Sequence, residues 1–125
     1  MAKILVVDDE PDMILALSNV LLPENHTVLS ANSGEEALEK IKQTVVDLVL
    51  LDFRLSGIDG IHILQKIKEI EPGLPVIMVT GYGGVDETVQ SIKLGASHYL
   101  PKPFDNEQLI DLVNKSLQLD IFKKG

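Results

Sequence analysis

Three carboxylates, one hydroxyl and one ammonium closely follow short apolar runs, and these groups belong to Asp8, Asp9, Asp52, Thr80 and Lys102. Carboxylates held close together repel one another, and a bound cation relieves that repulsion. Oxygen ligands in small number favour a hard divalent ion, above all Mg²⁺. A carboxylate can also attack phosphorus, and a lysine ammonium can hold a phosphoryl oxygen. The residue types therefore predict magnesium-dependent phosphoryl transfer, provided that the fold brings these side chains together.

The apolar runs are typical of buried β-strands, and they cover residues 4–7, 27–29, 48–51, 76–79 and 98–100. An amphipathic stretch with helical spacing follows each run, which predicts five helices. Helix starts are indicated by Pro11 and by the capping pairs Ser33 with Glu36 and Asp105 with Gln108. Strands that alternate with helices predict an α/β fold, a doubly wound three-layer sandwich around a five-stranded parallel sheet in the order 2-1-3-4-5.

The predicted sheet places the five polar side chains at one edge. The carboxyl ends of parallel strands meet there, and sites in such folds lie just outside those ends. Each residue also has an ordinary alternative. Asp8 and Asp9, close before Pro11, are also typical of a helix cap, and Lys102 is typical of a solvated loop.

Composition limits the range of functions. The chain has 125 residues, enough for one domain, and no cysteine, which excludes disulfides and thiolate metal sites. A net charge of −8 argues against direct contact with nucleic acid. No apolar run has the length of a membrane span and no signal peptide is recognisable, so we expect a cytoplasmic protein with no membrane contact.

Four motifs occur in a specific order, namely ILVVDDE, LVLLD with a later GIDG, VIMVTGYG and GASHYLPKPF. In this order the chain resembles the receiver domain of two-component response regulators, from Lys3 to about Leu119. The resemblance implies a flavodoxin-like fold and a receiver domain over residues 1–125, with no output domain in this chain. The wording of the last two motifs looks closest to receivers of transcription activators that have a central ATPase domain.

The resemblance implies a role for each residue at the predicted edge. Asp52 looks like the phosphoacceptor for a phosphoryl group from a sensor histidine kinase or phosphotransfer protein. Asp8 and Asp9 look like the acid pair that holds Mg²⁺, together with Asp52 and the backbone carbonyl of Phe53. Lys102 looks like the lysine that pairs with the phosphoryl group, and its bond to Pro103 is cis in similar domains.

A second group of residues resembles the switch and its tuning positions. Thr80 looks like the hydroxyl that moves toward the phosphoryl group, and Tyr99 sits where the family has a rotating aromatic. Arg54 and Tyr82 border the phosphoryl site in similar receivers and tune hydrolysis there. The surface of the fourth helix, fifth strand and fifth helix would then change and engage a partner, including a second copy as a homodimer.

Two other functions stay open at this point. A Mg²⁺-dependent phosphatase with Asp52 as nucleophile would want an acid two residues later, where this chain has Arg54. An interaction module that works without phosphorylation is the second alternative. One departure from the family is that Leu55 and Ser56 stand where many receivers have Met-Pro.

Overall fold

A computed structural model describes residues 2–52, 54–55, 58–81 and 85–124. Five parallel strands form one sheet, and they are β1 (Lys3–Val7), β2 (Thr27–Ala31), β3 (Leu48–Asp52), β4 (Val76–Thr80) and β5 (His98–Pro101). Their order across the sheet is β2-β1-β3-β4-β5, which confirms the predicted 2-1-3-4-5 order. The sequence did not predict a two-residue antiparallel hairpin that pairs Arg54–Leu55 with Ile58–Asp59.

Five α-helices cover the sheet, and they are α1 (Pro11–Leu21), α2 (Gly34–Gln43), α3 (Gly60–Ile70), α4 (Val85–Lys93) and α5 (Asn106–Lys124). A single 3₁₀ turn, Leu22–Glu24, extends α1. None of the helices in the described ranges has the length and apolar character of a bilayer span. The α/β class and the helix count thus agree with the prediction.

The predicted helix caps are present at two helices. The Ser33 hydroxyl accepts a hydrogen bond from the Glu36 amide at 3.1 Å, and the Glu36 carboxylate accepts one from the Asn32 amide at 2.7 Å. At the start of α5, the Gln108 side-chain oxygen accepts a hydrogen bond from the Asp105 amide at 2.9 Å. These bonds satisfy amides near helix starts that lack a partner within the helix.

The turn after α4 depends on a glycine. Gly95 has a φ of 108°, a conformation that side chains with a Cβ rarely adopt. The Ala96 amide donates to the Ser91 carbonyl at 2.9 Å, and the Gly95 amide donates to the Ile92 carbonyl at 3.1 Å. These two hydrogen bonds end α4, and the chain then turns into β5.

The core has two layers, one on each face of the sheet. Strand β3 is the centre of both, because Leu48 and Leu50 face the layer under α1 and α5, whereas Val49 and Leu51 face the layer under α2 and α3. All four side chains are at most 1% exposed. Each such side chain contributes roughly 1.5–3 kcal/mol through burial, so β3 is held firmly on both sides.

Strand register aligns the carboxyl ends of the strands. Val7 of β1 lies opposite Leu51 of β3, which brings the next residue, Asp8, level with Asp52. On the other side of β3, Asp52 lies opposite Val79 of β4. The sheet therefore presents the predicted acids side by side at one edge.

Helices α2 and α3 approach each other closely at Gly34. A Cβ built on Gly34 would overlap the side chain of Ile63, which is 3% exposed and packed in the core. We expect Gly34→Ala to lower the free energy of unfolding by about 1–3 kcal/mol, because Ile63 would have to leave its rotamer. Urea denaturation of the purified domain measures the change.

Gly73→Ala is the matched control for that variant. A Cβ on Gly73 would meet nothing within 4 Å. We expect its free energy of unfolding to stay within about 0.5 kcal/mol of the wild-type value. Equal destabilisation by both substitutions would contradict the close approach of α2 and α3.

Candidate functional site at the carboxyl edge of the sheet

Two buried carboxylates share one ammonium at this edge. Asp52 is the last residue of β3 and is 6% exposed, and Asp8 follows β1 and is 2% exposed. The Nζ atom of Lys102 lies 3.7 Å from Oδ2 of Asp8 and 4.0 Å from Oδ2 of Asp52. The Lys102 side chain is 20% exposed, so it is not the solvated loop lysine of the alternative interpretation. The peptide bond between Lys102 and Pro103 is cis, as the resemblance implied.

The two carboxylate oxygens of Asp8 contact different groups. Its Oδ1 accepts a hydrogen bond from the Glu10 amide at 2.9 Å, while Oδ2 faces Lys102. Glu10 is the N-cap residue of α1 and makes no side-chain cap bond. Asp8 therefore holds the amide of the residue at the N-cap position of α1, but it does not cap the first-turn amides as the alternative interpretation required.

The environment of Asp8 disfavours its charged form. Burial raises the pKa of the Asp8 carboxyl above its ordinary value of 3.8, against the lowering effects of the Glu10 amide bond and of Lys102. The negative charges of Asp9 and Glu10 raise this pKa further. A carboxylate that is buried among like charges is one that a bound cation would stabilise.

Three carboxylates at the start of α1 form a compact acidic group. Ligand atoms of Asp8, Asp9 and Glu10 all lie within 4.8 Å of one another. Asp52 is not a member of this close group and connects to it through Lys102. The donors are oxygens only, which fits Mg²⁺ or another hard divalent ion. Sequence reasoning missed Glu10, although the third consecutive acid in VVDDE was the available signal.

The other predicted site residues are less fully described. Thr80 ends β4 opposite Pro101, and Tyr99 on β5 is half-buried against the core layer under α2 and α3. The predicted contributions of Phe53 and Tyr82 fall outside the described residues. Arg54 is placed in the short hairpin by its backbone, and its side chain also falls outside the description.

An apolar groove begins beside Lys102. It has a volume of about 450 Å³ and runs between α1 and the turn that leads into α5. Its walls include Met13, Leu17, Pro103 and Phe104. Lys102 also lines this groove, so a partner bound there would lie next to the acidic edge.

Residues 4–114 match the family described as response regulator receiver domain. The chain belongs to this family. Receiver domains are signalling switches of two-component systems rather than enzymes in the ordinary sense. They are phosphorylated by histidine kinases or phosphotransfer proteins, and they generally bind Mg²⁺ at an acidic pocket.

Individual relatives support the assignment of this receiver domain. The transcriptional regulatory protein ZraR of Escherichia coli K12 is 41% identical over 114 residues, which cover 91% of this chain and 26% of ZraR. Sporulation initiation phosphotransferase F of Bacillus subtilis 168 is 39% identical over 117 residues, which cover 94% of each chain. The chain thus spans about a quarter of ZraR and nearly all of the Bacillus protein.

Solved structures show the same fold. A CheY-like receiver domain from Methanospirillum hungatei JF-1 has a TM-score of 0.93 and 31% identity, covering 100% of this chain and 99% of that one. The receiver domain of NtrX from Brucella abortus has a TM-score of 0.88 and 37% identity, covering 92% and 98% respectively.

The raised pKa of Asp8 predicts how stability depends on pH and on metal. Because the folded pKa of Asp8 lies above the unfolded one, the contribution of this carboxyl to the stability of the metal-free receiver is expected to fall as pH rises from about 3.8 through the folded pKa. Asp8→Asn removes this loss, so its free energy of unfolding in EDTA at pH 7 should exceed that of the wild type. Urea denaturation across this pH range measures both effects.

Added Mg²⁺ should reverse the ranking. At a concentration 100-fold above its dissociation constant, Mg²⁺ is expected to stabilise the wild type by about 2.7 kcal/mol and Asp8→Asn by much less. Asp111→Asn, on the exposed surface of α5, serves as control and should respond like the wild type. If Asp8→Asn were the less stable protein in EDTA, burial would not be the dominant influence on Asp8.

Proposed function

We propose that this receiver is a phosphorylation-dependent switch in which Asp52 accepts a phosphoryl group from a phosphohistidine. The observation that carries the proposal is the ammonium of Lys102 within 4.0 Å of both buried carboxylates, Asp8 and Asp52. Lys102 supplies positive charge beside the nucleophile Asp52, although it follows β5 and Asp52 ends β3. A solvated loop lysine would not be held there.

Phosphoryl transfer to Asp52 forms one bond to phosphorus and breaks another. An oxygen of Asp52 attacks phosphorus, the bond between phosphorus and the imidazole nitrogen of the donor breaks, and its electron pair stays on that nitrogen. The other ring nitrogen of the donor carries a proton, so the leaving group is a neutral imidazole. The product is an acyl phosphate on Asp52. Lys102 then turns from the carboxylates toward a phosphoryl oxygen, and the Thr80 hydroxyl donates to another.

We propose that a magnesium ion binds at the acidic edge of the sheet. Asp8, Asp9 and Asp52 would hold it, with the backbone carbonyl of Phe53 as a further ligand. When bound, Mg²⁺ neutralises charge on the phosphoryl oxygens during transfer. The support for this assignment is the oxygen-only donor set and the buried Asp8 with its raised pKa.

In the proposed switch, the charge added at Asp52 changes the structure of a surface next to the site. Thr80 lies opposite Pro101, so movement at the end of β4 acts directly on β5, which carries Tyr99. On the neighbouring helix α4, Val89 is 45% exposed and Ile92 is 47% exposed. We propose that phosphorylation presents this surface of α4, β5 and α5 to a partner or to a second copy of the receiver. Arg54 and Tyr82 would tune how long the acyl phosphate lasts.

The proposed donor is a sensor histidine kinase or phosphotransfer protein, and the proposed location of this receiver is the cytoplasm. The similarity to ZraR supports a role in transcription control through an output domain. The Bacillus protein matches along nearly its whole length, which supports instead a receiver that works without an output domain. Direct contact of this receiver with nucleic acid is not part of the proposal, because the net charge is −8.

Phosphorylation of Asp52 can be tested with acetyl phosphate and Mg²⁺. We expect the intact protein to gain one phosphoryl group by mass spectrometry, and Asp52→Asn to gain none. Lys102→Met should slow the gain on the order of 100-fold, as loss of a charge-stabilising group does in other sites. Lys42→Met, on the exposed side of α2, is the matched control and should react at the wild-type rate.

Other outcomes would favour the alternatives. Labelling of Asp52→Asn at the wild-type rate would remove Asp52 as acceptor. Steady release of phosphate from an ester over many turnovers would indicate a phosphatase. Unchanged partner binding by Asp52→Asn would favour an interaction module, in which phosphorylation has no role.

The groove beside Lys102 gives a test of partner docking. Ala16 lines it from α1, and Asn19 is exposed on the same helix without lining it. With a histidine kinase that phosphorylates the wild type, Ala16→Arg should reduce the transfer rate roughly tenfold, about 1.4 kcal/mol. Asn19→Arg should leave it unchanged, and acetyl phosphate should label both variants normally. Equal loss from both would contradict docking in the groove.

A further inference from the structure

His98, at the start of β5, is a titratable side chain for which the proposed function gives no role. Its backbone lies opposite Ile77 of β4. The ring nitrogen Nε2 of His98 is buried and has no hydrogen-bond partner in the described part of the chain. Buried polar atoms in proteins are nearly always hydrogen-bonded, so an unpaired one marks a place where the structure is sensitive to a change of charge.

The side chain of His98 faces the core layer under α1 and α5. Successive residues of a strand face opposite sides of a sheet. Leu100, two residues after His98, packs in that layer together with Leu109 and Val113 of α5. Tyr99, between them, packs in the layer on the other face. The half-buried ring of His98 therefore belongs to the side of β5 that α5 covers.

The surroundings of His98 disfavour a positive charge on its ring. The described charged side chains on the neighbouring helices are Glu107, Asp111 and Lys115 on α5 and Lys93 at the end of α4. Asp111 pairs with Lys115 at 4.0 Å, and β4 has no charged residue. Burial first, and then the positive charge of Lys115, lower the pKa of His98 below its ordinary value of 6.5.

We propose that protonation of His98 loosens the packing of β5 against α5, so that acidification by itself alters this surface. A neutral imidazole can stay buried, whereas an imidazolium there would be a cation in the field of Lys115 with an unpaired N–H at Nε2. β5 is an edge strand that pairs with β4 on one side only, so it has fewer hydrogen bonds to lose than a central strand. This inference goes beyond the proposed function, because it needs neither phosphorylation nor a metal.

The direction of the pH effect follows from the lowered pKa of His98. In a locally open form the ring is in water and has its ordinary pKa, so between pH 6.5 and the folded pKa the open form binds more protons than the closed form. Opening of β5 and α5 should therefore become more frequent as pH falls from 6.5. The increase is up to about tenfold per pH unit and levels off below the folded pKa.

The test is amide hydrogen exchange of the metal-free, unphosphorylated receiver as pH is lowered through 6.5, corrected for the intrinsic exchange rate, with NMR titration of the Cε1 proton of His98. We expect this ring to titrate below pH 6.5 and the amides of β5 and α5 to lose protection as pH falls. His98→Gln should remove this loss. His62→Gln, at an exposed position on α3, is the matched control and should keep it.

Two further variants separate this effect from others. His26, just before β2, also has a buried ring nitrogen without a partner among the described residues, and its protonation can destabilise the whole domain. The contribution of His98 is therefore the difference between the wild type and His98→Gln, and His26→Gln should leave that difference unchanged. His98→Phe keeps an aromatic ring without a polar atom, so β5 and α5 should be at least as protected in it as in the wild type below pH 6.5.

Three results would overturn the inference. It fails if His98 titrates at or above pH 6.5, or if His62→Gln removes the pH effect as well. It also fails if β5 and α5 keep their protection while His98 titrates, because the ring then turns out to water without moving the strand. Asp52→Asn should retain the pH effect although acetyl phosphate cannot label it, so this inference and the proposed function can fail independently.

Discussion

The ammonium of Lys102 between two buried carboxylates is the interaction on which the rest of the site depends. Asp8 and Asp52 are almost fully removed from water, and a buried carboxylate without a partner is strongly unfavourable. Lys102 lies within 4.0 Å of both. Because the pair of acids shares one cation, any ligand that draws Lys102 away must bring compensating charge. In the proposed switch, a phosphoryl group on Asp52 would draw Lys102 away, and a divalent cation would replace its charge.

The sheet makes this arrangement possible by holding the backbone still. Leu48 to Leu51 are buried on both faces of the sheet. The backbone from which the Asp52 carboxylate projects is therefore held in place. The register sets Asp8 beside it, and Thr80 ends the next strand. A site built from strand ends therefore has a rigid support, which fixes the distances between its charged groups.

The position of the site was predictable from the sequence because a parallel sheet restricts where the ends of its strands can lie. Once five strand and helix units are recognised, the carboxyl ends must share an edge, and Asp8, Asp52 and Lys102 must approach one another. The grouping of Glu10 with Asp8 and Asp9 was not predicted, because an exposed acid before a proline is equally well explained by the helix dipole. The hairpin at Arg54–Leu55 was missed because pairs of two residues carry no periodicity to detect.

The same features that suit the site to phosphoryl chemistry weaken the metal-free protein. Burial raises the pKa of Asp8, and the neighbouring charges of Asp9 and Glu10 raise it further, so the charged form of Asp8 opposes folding. The core around β3 is extensive enough to hold the acids in place regardless. Under the proposed metal binding, the stability lost at this edge of the sheet would be recovered when a cation binds there. In that proposal the fold is linked to its ligand, because a receiver stabilised by its metal would already be arranged for the transfer step.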